Sequence, residues 1–388
     1  MRKVLQISKY YFPFLGGTEQ VARDIAKALK EYDNVEQKII CFNDDAKLDG
    51  YENHHGETIH EKVDGIDVIR CGYVAKYASQ ALSLTYGREL RKVINEFNPD
   101  FIILHYPNPF VTYFLLKSIK PNCKLAVYWH LDITKQKFLK RFFDGQNKRL
   151  IARSSKILGA TPVHVNESAY TDYMGDKKYV LPYAIDEKRL VISEKEKQRS
   201  VEIRKMYEGK VLGFFIGRHV PYKGLRYLIE ASSKIKRDNI HFLVAGTGEL
   251  TDELKQMSAN DSKVEFVGRV TDSEWRSYLW ACDIFCFPSV TRNEGFGLAQ
   301  AEAMYYEKPV VTFTIKGSGV NFVTLNEETG LECPNSDSDA YAKALERLAD
   351  DVSLRHKLGA AGRQRVLDNF TEAQFVKNVG NLLNEVLG

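Results

Sequence analysis

Twice along this chain, short apolar runs alternate with segments of helical periodicity, and this repeated order limits the fold more than any other feature. Val4–Ser8 reads as a strand, and Thr18–Lys30 as a helix with apolar positions at Val21, Ile25, Ala28 and Leu29. Strands Gln37–Phe42, Ile66–Cys71, Phe101–His105, Lys124–Trp129, Lys156–Ala160 and Lys178–Leu181 follow, with a helix Arg88–Phe97 that stops before Pro99. A charged run, Glu194-Lys195-Glu196-Lys197-Gln198-Arg199, reads as a linker. A second series then begins, with strands Val211–Gly217, His241–Ala245, Val264–Val267, Ile284–Phe287 and Val310–Phe313. Its helices are Gly224–Lys236, Trp275–Cys282 and Leu298–Tyr305, then Ala340–Ala349 and Ser353–Asn369. The last segment, Glu372–Leu387, sets Phe375, Val379, Leu382, Leu383 and Val386 on one helical face. Alternating βα units predict α/β architecture with mainly parallel, doubly wound sheets. At 388 residues the chain exceeds one ordinary core, so two Rossmann-like halves with a cleft between them are expected. Ligands then belong at the C-terminal ends of the strands.

Composition removes several function classes. Apolar content of 44% and charged content of 27% fit a soluble globular protein. A net charge of +4 leaves no overall nucleic-acid footprint. The six cysteines are scattered without a CxxC pair, and Cys282 and Cys286 fall in an apolar stretch that reads as packing. A reducing compartment fits this usage. No apolar run approaches the roughly 18 residues of a membrane span, so a cytoplasmic location is expected, with at most surface contact with a membrane.

The chemistry-bearing residues cluster at strand ends. Gly16-Gly17 follows the first strand, where Thr18 would cap the next helix and Glu19 would face its positive end. Paired glycines let backbone approach an anionic ligand, although a tight βα turn uses them equally well. Gly217-Arg218-His219-Val220-Pro221-Tyr222-Lys223-Gly224 links a strand to a helix. Arg218 and Lys223 would meet a diphosphate there, one as a planar fork and one as a point charge. Gly246-Thr247-Gly248 begins like a dinucleotide fingerprint, but Thr251 stands where the third glycine belongs. Close backbone approach to a phosphate at Gly246 is the reading that survives. Gly268-Arg269-Val270 ends another strand, where backbone groups would read a nucleobase edge.

Glu294 and Glu302 stand eight positions apart around Gly295-Phe296-Gly297. The glycines would aim the amides of Phe296, Gly297 and Leu298 at a phosphate. Glu294 would accept from sugar hydroxyls, and Glu302, on an Ala-rich helix, from ribose hydroxyls. His130, in Tyr128-Trp129-His130-Leu131-Asp132, would bond a substrate hydroxyl or hold structure, while Asp132 would cap a helix. Eight cations and one acid, Asp144, lie between Lys135 and Lys156, interleaved with Phe138, Phe142, Phe143, Leu150 and Ile151. That pattern fits an anionic membrane surface or an ordinary solvated helix. Asp337-Ser338-Asp339 has the form of a metal-binding Asp-x-Asp, but its place before a helix favours capping.

Taken in order, these motifs resemble retaining glycosyltransferases of family 4, which have the GT-B fold, and members that build bacterial surface polysaccharides in particular. Gly16-Gly17-Thr18-Glu19, Trp129-His130-Leu131-Asp132, Gly217-Arg218 through Lys223-Gly224, and Glu294 with Glu302 carry the resemblance over nearly the whole chain. It implies a sugar moved from a nucleotide-diphosphate sugar to a glycan or lipid-linked saccharide acceptor, with no metal or other cofactor. His130, Arg218, Lys223 and Glu294 would be catalytic. Gly16, Gly17, Gly246, Arg269, Val270, Phe296, Gly297, Leu298 and Glu302 would bind the donor. Residues 1–185 would form the acceptor-binding domain and residues 186–371 the nucleotide-sugar-binding domain, with 372–388 crossing back to the first. An aromatic pair often precedes that crossover in the family, whereas Phe370-Thr371 keeps one ring. The competing class is a non-catalytic binder of nucleotide sugars or glycans; the full set Arg218, Lys223, Glu294 and Glu302 argues for turnover.

Overall fold

The computed structural model describes residues 1–14, 17–44, 56–77, 80–132 and 137–388, the side chains of 77, 80 and 137–142 excepted. Two compact units divide the chain: Met1–Pro182 together with Phe375–Gly388, and Tyr183–Gln374.

The first unit holds β1 (Arg2–Ile7), β2 (Val35–Phe42), β3 (Ile59–Val63), β4 (Ile66–Cys71), the hairpin β5 (Ala75–Tyr77) and β6 (Gln80–Leu82), β7 (Phe101–Tyr106), β8 (Lys124–Trp129), β9 (Lys156–Gly159) and β10 (Lys178–Val180). Its main sheet runs β10-β9-β8-β7-β1-β2-β4-β3. β3 is antiparallel to β4, and the other pairings in that sheet are parallel. Central strand β7 is buried along its whole length, as a parallel strand covered on both faces requires. The chain leaves β1 toward β2 on one side and returns to β7 on the other, so the topological switch point lies between β1 and β7.

The second unit holds β11 (Val211–Ile216), β12 (Ile240–Ala245), β13 (Val264–Gly268), β14 (Ile284–Phe287), β15 (Val310–Phe313) and β16 (Gly330–Cys333). All run parallel in the order β13-β12-β11-β14-β15-β16, which puts the switch point between β11 and β14. The charged run expected as a linker lies in the helix Glu194–Met206. Ser193 and Glu196 form a reciprocal capping box, and Glu196 is buried against Arg276 Nη2 at 2.5 Å. Charge alone suggested exposure; a partner 80 positions away made burial affordable.

The helix Glu372–Leu387 buries the apolar face that its periodicity predicts. From Phe375 onward it belongs to the first unit. Tyr32 Oη donates to Val376 O at 2.8 Å, Tyr179 Oη to Asn378 O at 3.0 Å, and Arg2 Nη1 to Asn384 Oδ1 at 3.0 Å. Ahead of it, Phe370 is fully buried beside Phe296 and Phe322, and its carbonyl accepts from Ile185 N at 2.8 Å. The single ring kept at this position is thus packed in the core of the second unit. No helix among the described residues is long and apolar enough to cross a membrane.

Candidate functional site

The loops that leave β11 and β14 flank the second unit's switch point, and they touch backbone to backbone. Val290 N donates to Tyr222 O at 2.9 Å. Gly224 adopts φ 62°, and a Cβ there would lie 2.0 Å from Pro288 O, so only glycine fits this crossing. The contact delivers Lys223 Nζ to Glu294 Oε2 at 2.5 Å, with each side chain 13% exposed. Ser289 Oγ donates to the same carboxylate oxygen at 3.1 Å. Ser318 Oγ donates to the Glu294 carbonyl, and Gly319 N to Gly295 O at 2.8 Å, fixing the turn. Sequence assigned Lys223 to a diphosphate and Glu294 to a sugar; the structure joins them as an ion pair.

Gly297, at φ 80°, starts the helix Leu298–Tyr305. The amides of Gly297, Leu298 and Ala299 donate no hydrogen bond among the described residues. They stand at a helix N-terminus, where backbone N–H groups favour an anion, beside the Lys223–Glu294 pair. The Phe296 ring turns away into the core between Tyr183 and Phe370, at 5.1 and 5.4 Å. Gln300, unremarked in the sequence, locks this start. Its Nε2 donates to Phe296 O and Val320 O, both at 3.1 Å, and its Oε1 accepts from Thr324 Oγ1 at 2.9 Å.

Glu302 lies one turn further on and is 16% exposed, with Arg189 Nη1 3.6 Å from its Oε1. Burial pushes its carboxyl up to about 7; Arg189 opposes the rise, and Asp272 and Asp186 add to it. Arg189 is itself gripped by both oxygens of Asp272, at 2.9 and 2.8 Å, over the Trp275 ring at 4.6 Å. Nothing in its local sequence marks Arg189.

Arg218 is exposed, with Nη2 3.4 Å from Tyr222 Oη. The next residue, His219, is buried and braces the loop. Its N donates to Thr247 O at 3.1 Å, its carbonyl accepts from Leu250 N at 3.0 Å, and its Nδ1 lies 2.9 Å from Thr251 Oγ1. Gly246 adopts φ 114°, and a Cβ there would sit 1.9 Å from Gly217 O. The close approach expected between Gly246 and a phosphate is thus made to the neighbouring loop. Arg269, exposed, and Val270, half-buried, leave edge strand β13, two strands from β11.

In the first unit, Gly16 lies outside the described residues, as do Lys135 and the side chains of Lys137, Lys140 and Arg141. The helix Gly17–Lys30 already includes Thr18, which therefore does not cap it. Glu19 is buried, and desolvation holds its carboxyl above the usual range, countered by its own backbone amide and by Lys9. Asp132 ties Trp129 Nε1 to Ser168 Oγ and Ala169 N, at 2.7, 2.8 and 2.8 Å, and residues 133–136, where a helix start after it would fall, lie outside the described residues. His130 is buried at the end of β8, its Nε2 3.1 Å from His105 Nδ1. In the basic stretch, Lys148 pairs with Asp144 at 2.8 Å, Arg153 donates to Lys120 O and Cys123 O, and Lys156 pairs with Glu385 at 2.6 Å. In the second unit, Asp337 caps the helix Ser338–Asp350, accepting from Asp339 N at 3.0 Å and Ala340 N at 2.9 Å.

Two doubly wound units, each with its own parallel sheet and switch point, are the architecture of the GT-B fold. Residues 15–189 match the family described as Glycosyltransferase Family 4, and residues 196–365 match Glycosyl transferases group 1. The chain belongs to this glycosyltransferase family. It is 25% identical to O-antigen chain mannosyltransferase C of Escherichia coli over 390 residues, covering 99% of each chain. It is 25% identical to D-rhamnosyltransferase WbpZ of Pseudomonas aeruginosa, covering 95% of this chain and 92% of that one. Among solved structures, Anabaena Alr3699/HepE in complex with UDP superposes with a TM-score of 0.76 at 16% identity, covering 99% of this chain and 100% of that one.

Proposed function

We propose that this glycosyltransferase moves a sugar from a nucleotide-diphosphate sugar to a glycan or lipid-linked saccharide in surface-polysaccharide assembly, retaining the anomeric configuration and using no metal. The observation that carries the reading is the placing of the helix-start amides of Gly297–Ala299 beside Lys223–Glu294 at the switch point. The names of the mannosyl- and rhamnosyltransferase relatives and the UDP bound by HepE support the substrate class.

As the donor's C1–O bond breaks, negative charge grows on the leaving diphosphate. Arg218, Lys223 and the helix-start amides stabilise it, each by about 3–4 kcal/mol if they act like oxyanion-hole donors. Glu294 orients the sugar and Glu302 the ribose, and His130 contacts the transferred sugar. Gly17, Arg269 and Val270 act on the donor side through backbone groups, while Gly246, whose amide bonds Gly268 O at 2.7 Å, supports the neighbouring loop that carries Arg218. Attack from the leaving group's own face, with a donor phosphate oxygen taking the acceptor's proton, gives retention without a second carboxylate. The chain acts in the cytoplasm, at the membrane face where lipid-linked acceptors are presented. The tilt toward anionic lipid rests on the basic stretch 135–156, and co-sedimentation with anionic vesicles tests it.

The decisive test pairs a thermal-shift screen of UDP-, GDP-, ADP- and TDP-sugars with nucleotide release in the presence of acceptor and EDTA. One donor should raise Tm, release should survive EDTA, and the product should keep the donor's anomeric configuration by NMR. Arg218→Ala should lower turnover by about 100-fold or more with an unchanged fold. Normal turnover in that variant would remove Arg218 from the mechanism.

A further inference from the structure

Three elements of the second unit meet at one guanidinium. Arg189 lies in the segment that enters the unit, Asp272 opens the helix Asp272–Ala281, and Glu302 stands on the helix Leu298–Tyr305. Arg189 Nε and Nη2 grip the two oxygens of Asp272 at 2.9 and 2.8 Å, while Nη1 lies 3.6 Å from Glu302 Oε1. One edge of the fork is thus occupied by a bidentate pair, and its remaining nitrogen is directed at the buried glutamate. The guanidinium carbon rests 4.6 Å from the centre of the Trp275 ring, a cation–π contact that fixes its position further.

The backbone beneath this side chain is pinned as well. Arg189 N donates to Asp186 Oδ1 at 3.1 Å, and Arg189 O accepts from Arg276 Nη1 at 2.9 Å. Tyr306 Oη donates to Leu190 O at 2.6 Å. Arg276 is held in turn by Glu196, and Asp272 by a helix start with a closed Thr271–Glu274 capping box. Arg189 is therefore fixed at both its backbone and its tip, which is unusual for a half-exposed arginine with several rotatable bonds.

We infer that Arg189 is a positioning residue for donor binding, a fixed cation that holds the Glu302 carboxylate in place to accept from the ribose hydroxyls of the nucleotide. The inference rests on the reading of Glu302 as the ribose acceptor and goes beyond it by naming the residue that makes Glu302 fit for the task. A carboxylate accepts at both oxygens, whereas a protonated carboxyl turns one of them into a donor. Burial favours the protonated form of Glu302, and Asp272 and Asp186 face it from the elements that hold Arg189, with Tyr306 following on its own helix. Arg189 is the cation that opposes them. Its removal would leave a buried carboxyl beside two acids, protonated over most of the neutral range.

The test compares full-length wild type with Arg189→Met. The Glu302 carboxyl is followed by NMR in protein carrying 13C-glutamate and identified by its loss in Glu302→Gln. Its titration, near pH 7 in the wild type, should move to higher pH in Arg189→Met. By calorimetry with UDP, GDP, ADP and TDP, the nucleotide that the wild type binds should bind Arg189→Met about 10-fold more weakly at pH 7, and the deficit should narrow as pH rises. Preference for a ribonucleotide over its 2′-deoxy form should shrink in the variant. KM for the matching donor should rise about 10-fold, with kcat within about twofold. Arg189→Lys restores a cation without the fork and should bring the titration back toward wild type. If Arg189→Met does not fold, Arg189→Gln carries the same readouts. An unmoved Glu302 titration in the folded variant, unchanged nucleotide affinity, or a fall in kcat at constant KM would each overturn the inference. Wild-type affinity in Glu302→Gln would instead overturn the ribose reading of Glu302, and the inference with it, while a moved titration would still show Arg189 acting on that carboxylate. Binding of none of the four nucleotides by the wild type would overturn the donor class itself.

Discussion

Glu302 carries a carboxyl that burial has pushed from an ordinary 4.5 up to about 7. A raised value means the folded chain holds this proton more tightly than the unfolded chain does. Its stabilising effect is full below about 4.5 and is lost as pH rises through about 7. Denaturant titration across that window should show the wild type losing stability relative to Glu302→Gln. Donor binding runs the opposite way, because ribose hydroxyls donate to the ionised carboxylate. Donor affinity by calorimetry should climb as pH rises through about 7, and the Gln variant should give a flat profile. The Lys223–Glu294 pair offers a second residue-scale test. Lys223→Met leaves a mostly buried carboxylate with Ser289 and no cation, and should cost about 3 kcal/mol, the low end for such a break. Adding Glu294→Gln should return stability to within about 1 kcal/mol of wild type while turnover stays lost. Equal instability in single and double variants would show that the lost pair is not the cause. The glutamates, Arg218 and Lys223 were legible in the sequence because their types and spacing are local. Arg189 was not, since its meaning depends on Asp272, 83 positions away. His105 likewise reads as one more strand residue until β1 and β8 are set beside it.

At the scale of elements, the site is a crossing of two βα loops held by glycines. Gly224→Ala puts a Cβ against Pro288 O in a left-handed backbone position, so it should cost at least about 2 kcal/mol. That corresponds to a fall in Tm of roughly 4–8 °C for a unit of this size, readable by calorimetry. A wild-type Tm would mean that the two loops separate freely. The helices Leu298–Tyr305 and Glu372–Leu387 were legible to the residue, the first from its glycine start and the second from a clean apolar period. The helix Pro109–Ser118 was not, because PFVTYFLLKS is apolar almost throughout and has no face to read. Strand Gly330–Cys333 reads Gly-Leu-Glu-Cys, and its glycine and charge hide a strand that the equally short but apolar Ile284–Phe287 declares. The linker reading of 194–199 failed for a different reason: solvation was inferred from charge, whereas Ser193 and Arg276 satisfied Glu196 inside the fold.

Across the whole molecule, each unit has its own sheet and core, so each has its own thermal handle. Gly380 faces Tyr32 so closely that an added Cβ would lie 2.0 Å from its hydroxyl. Gly380→Ala should therefore lower the calorimetric transition of the first unit, whereas a donor nucleotide sugar should raise that of the second. Movement of the second transition by Gly380→Ala would contradict this division of labour. The same helix carries an implication for how the protein is made. Residues 183–374 are continuous and hold every strand of their own sheet, but the first unit is interrupted and recovers 375–388 only after the second has been synthesised. During vectorial synthesis the earlier-born unit must wait, with Tyr32 and Tyr179 lacking the carbonyls they later bond, while the later-born unit can close first. The order of birth and the order of completion are thus reversed: the unit begun first is the unit finished last.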